Sequence, residues 1–153
     1  MMEHFDPWRN IIVNNFCYVI HRLHECDLLI LSCSNYATEV EIKVSPGDLR
    51  ADSKKKHGHV SDFIRRFYFA VPEELEELAL ELIPERAGLF VVEKRVNSRS
   101  KFYCTVRLSR QCKNNTKAKK WTDAEKYKLM LNGTRRILNS KRKIKSLIMS
   151  EGE

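Results

Sequence analysis

The sequence lacks long apolar runs. A membrane-spanning helix needs roughly 18–20 consecutive apolar residues, and no stretch of the 153 residues approaches that length. The first seven residues, MMEHFDP, also lack the basic and apolar regions of a signal peptide. We therefore expect a globular protein in the cytoplasm that does not act at a membrane. Its length allows one domain with a core and an appendage.

Motifs for several kinds of chemistry are missing as well. No glycine-rich phosphate loop is present, and no serine or cysteine stands in a recognisable triad context. The five cysteines, at positions 17, 26, 33, 104 and 112, include no CxxC pair, and we interpret them as reduced thiols. A zinc site from His57, His59, Cys104 and Cys112 would have no recognised ligand spacing.

Negative charge is scarce near the C-terminus. Residues 1–110 hold 16 basic and 16 acidic residues, whereas residues 111–150 hold 12 basic residues against only Asp123 and Glu125. The net charge of +8 therefore comes from the C-terminal part. We expect a core at residues 1–110, followed by a basic linker and helical tail at residues 111–153. The asymmetry indicates a polyanionic partner, nucleic acid before a membrane surface, although a solvated helix face is also compatible with it.

The pattern of apolar residues predicts a mixed α/β fold. Runs rich in β-branched and aromatic residues, or in strict alternation, predict strands at residues 16–21, 28–31, 38–44, 66–71, 88–93 and 102–108. Residues 5–14 are weakly patterned. Helices are expected at residues 46–57, 72–83 and 122–148. Ser45 as N-cap and a capping box from Thr122 to Glu125 mark two of the helix starts.

The last predicted helix carries an apolar stripe beside a basic face. The stripe consists of Tyr127, Met130, Leu131, Ile137, Leu138, Ile144, Leu147 and Ile148. An apolar stripe of this kind packs against another apolar surface. We expect either the body of the protein or a partner chain, so a homo-oligomer through this helix is an option.

The strand at residues 38–44 alternates apolar and charged residues. One face carries Val40, Ile42 and Val44, and the other carries Glu39, Glu41 and Lys43. An ordinary half-buried strand with a solvated charged face explains this pattern. The alternative is a metal site, in which Glu41 ligates a hard cation and Lys43 stabilises charge on a phosphate. Glu39 has no role in this alternative.

Asp27 begins the preceding predicted strand and favours the metal site. If the two strands form a hairpin, Asp27, Glu41 and Lys43 converge at one end of the sheet. Two carboxylates can hold Mg²⁺. Lys43 would counter charge on the scissile phosphate or help to deprotonate the attacking water. This set of groups suits metal-assisted phosphodiester hydrolysis.

The order of these motifs resembles a known nuclease superfamily. Asp27 followed by Glu41-x-Lys43 has the spacing and strand context of the PD-(D/E)xK nucleases. The chain is also similar, over about residues 16–95, to the MmcB-type DNA repair proteins and even more to their small phage and prophage relatives. The blocks that resemble the MmcB-type proteins are, in order, residues 26–29, 40–45, 48–52, 67–73 and 83–89. The phage and prophage relatives also share residues 24–27 and 56–59.

This resemblance implies a fold, a cofactor and a site. The fold would be a restriction-endonuclease-like three-layer core with a central mixed sheet, and the activity on DNA would depend on Mg²⁺ or Mn²⁺. Asp27 and Glu41 would ligate the metal together with the main-chain carbonyl of Ile42, and Lys43 would be the catalytic lysine. The superfamily often adds a glutamate from a first helix, for which Glu3 and Glu25 are the candidates here.

Two functions follow from these observations. The first is a metal-dependent DNA nuclease in DNA repair or phage DNA metabolism. The second is a DNA-binding module of the same fold with weak or no catalysis, because the extra glutamate is not evident. In both, the residues expected to bind DNA are Lys54, Lys55, Lys56, Lys117, Lys119, Lys120, Arg135 and Arg136.

Overall fold

A six-stranded sheet forms the centre of the computed structural model, which describes residues 4–16, 25–53, 61–98 and 101–150. The neighbouring strands pair in chain order. The pairs β3–β4 and β4–β5 are parallel and the others are antiparallel. The strands are β1 (Asn10–Phe16), β2 (Cys26–Ser32), β3 (Ala37–Ile42), β4 (Ile64–Pro72), β5 (Gly88–Val96) and β6 (Phe102–Arg110).

Helices connect the parallel strands, because a parallel pair needs a crossover rather than a tight hairpin. Helix α1 (Pro46–Ser53) follows β3, and a 3₁₀ turn (Glu73–Leu75) with helix α2 (Glu76–Leu82) joins β4 to β5. Helix α3 (Asp123–Ser150) follows β6. The predicted α/β class with a central mixed sheet and a C-terminal helix is therefore confirmed, and it is compatible with a three-layer core.

The two helix starts that the sequence predicts are present. The Ser45 hydroxyl accepts a hydrogen bond from the Asp48 main-chain N–H at 3.2 Å. At the start of α3, the Thr122 N–H donates to the Glu125 carboxylate at 2.6 Å, and the Glu125 N–H donates to the Thr122 hydroxyl at 3.3 Å. Both side-chain caps satisfy N–H groups that have no partner within the helix.

The first strand lies earlier than predicted. The sequence predicts a strand at residues 16–21, but β1 runs from Asn10 to Phe16, and residues 17–21 lie outside the described residues. The Asn14-Asn15 pair hid this strand, since asparagine is depleted in strands. Asn15 has a φ of 46°, a left-handed conformation that asparagine tolerates better than most residues. Pairing with β2 keeps the segment extended in spite of it.

The sheet carries core clusters on both faces. Phe69 packs with Leu49 of α1 and Ala79 of α2 on one face. On the other face, the Tyr68 and Phe90 rings stack with their centroids 4.6 Å apart, and Cys112 packs in the same cluster. The sheet therefore lies between two buried layers.

Residues 111–121, which belong to the linker that the sequence predicts at residues 109–121, are bonded to the sheet. The Asn115 N–H donates to the Arg65 carbonyl at 2.8 Å, and the Trp121 N–H donates to the Asn35 carbonyl at 2.8 Å. The Trp121 side chain is buried, and its indole N–H donates to the Phe63 carbonyl at 3.0 Å. The segment therefore crosses the end of the sheet where β3 and β4 begin.

Helix α3 packs on the body with a different face from its apolar stripe. Leu129 is fully buried in the cluster that contains Trp121, and Gly133 lies close to the Val13 side chain. Most of the stripe is exposed, with Ile137 and Ile144 59% and 58% accessible. The stripe is therefore largely uncovered by the part of the body that the structure describes. No helix in the described part of the chain is long and apolar enough to cross a membrane.

Gly88 at the start of β5 has no room for a side chain. A Cβ atom there would lie 2.2 Å from Tyr68 Cδ1 and 2.9 Å from the Arg110 carbonyl oxygen. Movement of the Tyr68 ring would leave the backbone contact in place. We expect Gly88→Ala to lower the free energy of unfolding by about 1–3 kcal/mol, measured by urea denaturation. Gly47→Ala is the control, since its Cβ would meet only the Ser45 hydroxyl at 4.0 Å. Equal stability of the two variants would contradict this explanation.

Candidate active site around strand β3

The charged face of β3 is buried, which reverses the ordinary expectation for an alternating strand. Glu39, Glu41 and Lys43 are 1%, 4% and 5% exposed. On the other side of the strand, Ile42 and Val44 are 43% and 71% exposed. The interpretation of a solvated charged face is therefore wrong. The charged side chains point into the protein, and the two apolar ones at the strand end point outward.

Helix α1 explains this burial. It begins directly after β3 and folds back, so that Leu49 joins the cluster of Phe67 and Phe69 on the charged side of the strand. The Asp52 side chain from the same helix is only 3% exposed. Charges placed under such a cover are costly unless they are paired and hydrogen-bonded.

Lys43 is the centre of the paired charges. Its Nζ donates to Glu41 Oε2 at 3.0 Å and lies 3.1 Å from Asp52 Oδ1. Asp48 Oδ1 is 3.9 Å away and half exposed. The main-chain N–H of Lys43 donates to the Ala70 carbonyl at 3.0 Å, which fixes the residue beside β4. The ammonium therefore lies between one carboxylate of β3 and one of α1.

The pKa of Lys43 shows which of its expected roles this arrangement supports. Burial alone lowers the pKa of Lys43, but the hydrogen bonds and charges of Glu41 and Asp52 outweigh burial, and the net shift is upward. Its contribution to stability is therefore complete below the ordinary pKa of 10.5 and is lost only as the pH rises through the higher folded value. At neutral pH Lys43 is a cation, which suits charge stabilisation rather than proton abstraction.

Asp27 reaches the same end of β3 from the neighbouring strand. The antiparallel register pairs Leu28 with Val40, and its continuation places Asp27 opposite Glu41. Asp27 Oδ2 accepts a hydrogen bond from the Ile42 main-chain N–H at 2.7 Å. The structure thus brings the predicted residues of β2 and β3 to one end of the sheet.

Sequence reasoning missed Asp52, which is the second carboxylate on Lys43. The available signal was the four-residue spacing of Asp48 and Asp52, which puts both on one side of the helix that follows Glu41-x-Lys43. Glu39 was also expected to have no role, yet it is among the most buried side chains of the protein. Strand periodicity identified neither residue, because it does not indicate which face of the sheet a helix will cover.

Cys26 is a buried neighbour of the carboxylates. Burial raises the pKa of its thiol well above the ordinary value, and the charges of Glu39, Glu41 and Asp27 raise it further. Cys26 is therefore a neutral thiol and not a nucleophile. The four described cysteines are free, with Cys26 and Cys112 buried and the other two exposed, in keeping with the reduced thiols expected from the sequence.

Asp27 and Glu41 are the carboxylates of β2 and β3 that the sequence predicts as ligands of a hard divalent cation. In residues 4–16, 25–53, 61–98 and 101–150, no group of three or more His, Cys, Asp and Glu side chains is arranged to hold a metal ion. Mg²⁺ is commonly bound through one or two carboxylates and keeps several waters, so Asp27 and Glu41 are the residues that could hold it. Glu25 is exposed before β2, and Glu3 lies outside the described residues.

The basic residues expected to bind DNA belong to three separate segments of the chain. Lys117, Lys119 and Lys120 belong to the segment that crosses the opposite end of the sheet, where the Lys119 N–H donates to the Asp62 carbonyl at 2.7 Å. Arg135 and Arg136 lie on α3, the first exposed and the second half-buried. Residues 54–56 lie outside the described part of the chain.

Comparisons with known proteins give a fold but no family. No protein-family model and no curated protein matches the chain. Among solved structures, it is similar to the SPO1766 protein of unknown function from Silicibacter pomeroyi, with 22% identity and a TM-score of 0.56. The match covers 99% of this chain and 88% of that one. At this identity the likeness shows a shared fold alone, which agrees with the α/β architecture described above.

Removal of the Lys43 charge should destabilise the protein strongly. Lys43→Met keeps most of the side-chain volume but leaves Glu41 and Asp52 facing each other under α1. We expect a loss of about 3–5 kcal/mol in the free energy of unfolding at pH 7, measured by urea denaturation.

The matched control is Lys94→Met, which removes a lysine charge from an exposed position on β5. We expect that variant to change the stability by less than about 0.5 kcal/mol. A loss for Lys43→Met no larger than the loss for Lys94→Met would show that the buried ion cluster does not hold β3 and α1 together.

Proposed function

We propose that this chain is a metal-dependent, nuclease-like protein that hydrolyses phosphodiester bonds of DNA in repair or phage DNA metabolism, in the cytoplasm. The observation that supports the proposal is the group of Asp27, Glu41 and Lys43 at one end of the sheet, in which Glu41 and Lys43 are buried and Asp27 is partly exposed. Buried ion clusters are often no more stabilising than apolar residues of similar size. They occur frequently where a site needs charged groups held in place.

The acidic residues have a direct role in this proposal. Asp27 and Glu41 would hold Mg²⁺ or Mn²⁺, with the main-chain carbonyl of Ile42 and water as further ligands. A bound divalent ion would supply Lewis-acid polarisation of the phosphate and a more acidic bound water. The hydrogen bond from the Ile42 N–H to Asp27 orients that carboxylate across the gap between β2 and β3.

The basic residue has an electrostatic role. Lys43 is held as an ammonium by Glu41 and Asp52, so it would stabilise negative charge that develops on the scissile phosphate. Asp52 does not meet the substrate in this proposal. It is a positioning residue that fixes the Lys43 side chain and keeps it protonated.

A second candidate is a DNA-binding module of the same fold with weak or no turnover. Lys43 already has two carboxylate partners, at 3.0 and 3.1 Å, which compete with a substrate phosphate for its charge. Ahead of β1, the described residues contain no helix that could add a further glutamate. The basic surplus after residue 110 would then supply the affinity for DNA.

A partner chain is the remaining explanation for the apolar stripe of α3. Tyr127, Ile137, Ile144 and Ile148 are all more than half exposed, and two such stripes could cover each other in a homo-oligomer. Self-association through α3 is compatible with either candidate function.

The nuclease proposal predicts metal-dependent cleavage. The parent protein should cut supercoiled or linear DNA with Mg²⁺ or Mn²⁺, and excess EDTA should stop the reaction. Asp27→Asn and Glu41→Gln should each lower the rate about 100-fold or more, the size of effect seen when one group that stabilises the transition state is lost. Glu74→Gln, an exposed glutamate of the 3₁₀ turn, is the control and should cut like the parent.

Asp52→Asn separates a positioning role from a merely structural one. Loss of that carboxylate lowers the pKa of Lys43, so the alkaline limb of the pH–rate profile should move to lower pH.

Absence of cleavage by the folded parent with either metal, or equal cleavage by the parent and Glu41→Gln, would exclude the nuclease.

The binding-module candidate predicts salt-sensitive affinity for DNA. Deletion of the whole basic segment would remove Trp121 and Leu129 from the core, so charge neutralisation is the better test. Arg135→Gln/Arg136→Gln should flatten the plot of log affinity against log salt by about 0.9 for each lost phosphate contact. The matched control is Lys94→Gln/Lys101→Gln. An unchanged slope in the arginine variant would exclude α3 from the DNA interface.

A further inference from the structure

A polar cavity lies at the opposite end of the sheet from Lys43. It has a volume of about 240 Å³ and sits where β2 ends and β3 and β4 begin. Thr38 lines it, and Lys43 lies five positions further along the chain, which corresponds to roughly 16 Å along an extended strand. The lining residues, referred to below as the Arg65–Arg66 cavity, are Ser32, Ser34, Tyr36, Thr38, Arg65 and Arg66.

Among the residues that the structure describes, the two arginines of the cavity have no acidic partner. Within the described residues, neither Arg65 nor Arg66 forms an ion pair with a carboxylate. The acid nearest in sequence, Asp62, is 3.8 Å from Lys119 instead. Two guanidinium groups in one cavity repel each other, so an anion there would remove an unfavourable interaction.

The two guanidinium groups are held without using up their donors. The Arg65 guanidinium carbon lies 4.1 Å from the centre of the Tyr36 ring, a stacked position that leaves the N–H groups at its edge. Arg66 Nε donates to Asn114 Oδ1 at 3.2 Å, which orients the group through a single N–H. An arginine has five N–H donors, so the terminal ones remain for a ligand.

Hydroxyl groups line the other side of the cavity. The Ser32 hydroxyl is fixed as a donor to the Tyr36 carbonyl at 3.0 Å. The Ser34 hydroxyl lies 2.9 Å from the Ser32 hydroxyl, and Thr38 follows at the start of β3. Because the Ser32 proton goes to Tyr36, Ser34 is the donor in the bond between the two serines. Thr38 can therefore donate to an oxyanion directly, whereas Ser34 can do so only by giving up its bond to Ser32.

The positive charge extends beyond the Arg65–Arg66 cavity. Lys120 Nζ lies 5.6 Å from the centre of the same Tyr36 ring. An adjoining cleft of about 320 Å³ shares Arg65 and Arg66 and adds Lys117 to its lining. A narrow site with several cations at one edge concentrates positive potential and attracts polyanions.

We propose that the Arg65–Arg66 cavity binds a phosphate group of a nucleic acid. Guanidinium forks match phosphate oxygens in geometry and charge. The cavity is smaller than the roughly 300–1,000 Å³ of sites that hold drug-sized ligands, so one phosphate group fits it better than a whole nucleotide. The adjoining cleft would receive the next phosphates of the chain. This site goes beyond the proposed nuclease and does not require Lys43 to be catalytic.

Binding measured without metal tests the site. The full-length protein in EDTA is titrated into a labelled 12-nucleotide single-stranded DNA, with or without a 5′-phosphate, and fluorescence anisotropy is followed. Arg66→Gln should weaken binding about tenfold or more, because it removes charge-assisted hydrogen bonds. Arg66→Lys keeps the charge but not the forked set of N–H donors. Its affinity should therefore lie between those of the parent and Arg66→Gln. Lys94→Gln removes a charge elsewhere and should bind like the parent within about twofold, as expected for an exposed group outside the site.

The source of the phosphate is distinguished by the probes. Tighter binding of the 5′-phosphorylated strand, with competition by inorganic phosphate, assigns the cavity to a terminal phosphate. If the DNA binds equally with and without its 5′-phosphate, and Arg66→Gln weakens both affinities equally, the cavity is assigned to an internal phosphodiester. Either result supports the site.

A second measurement guards against a folding defect. In nuclear magnetic resonance spectra of the parent, inorganic phosphate should shift the amide signals of Ser34, Tyr36 and Thr38. The site is excluded if Arg65→Gln and Arg66→Gln bind every probe like the parent, if Lys94→Gln weakens binding as much, or if phosphate leaves those signals unmoved. A protein that binds DNA here but never cuts it would exclude the nuclease and leave this site intact.

Discussion

The ion cluster of Lys43 with Glu41 and Asp52 is the interaction that allows a charged strand to lie inside this sheet. Without the cation, two carboxylates would face each other under α1; without the carboxylates, an ammonium would be buried alone. Either arrangement would push α1 away from β3. The position of α1 in turn defines how Asp27 and Glu41 are presented, so the architecture of this end of the sheet and its chemistry depend on the same few atoms.

Local sequence rules predicted most of the fold but little of its burial. Strand alternation and side-chain caps located β2 to β6 and all three helices, because these signals are contained within a few residues. The Asn14-Asn15 pair concealed β1, since its pairing with β2 is a tertiary effect. Likewise, Asp27, Glu41 and Lys43 could be selected from their spacing, whereas Asp52 could not, because its contact depends on how α1 folds back. The expectation of a solvated charged face on β3 was wrong for the same reason.

Charge counting along the chain gave only part of the electrostatics. Residues 1–110 are neutral in sum, yet their charges are separated in space. Acidic side chains meet at the end of β3, while Arg65 and Arg66 gather at the start of β4. The segment at residues 111–121 then adds its lysines to the second group. The described residues therefore group acidic side chains at the end of β3 and basic side chains at the start of β4, and neither group is evident from composition.

The position of Trp121 has a consequence for the synthesis of the protein. Its ring lies 6.5 Å from that of Phe16, although more than a hundred residues separate them in the chain. Contacts of such long range close slowly. The half of the sheet that contains β1 and β2 is therefore made first on the ribosome and completed last, when the segment after β6 emerges. Until then its apolar face is open, and this part of the chain is the one most exposed to chaperones and to aggregation.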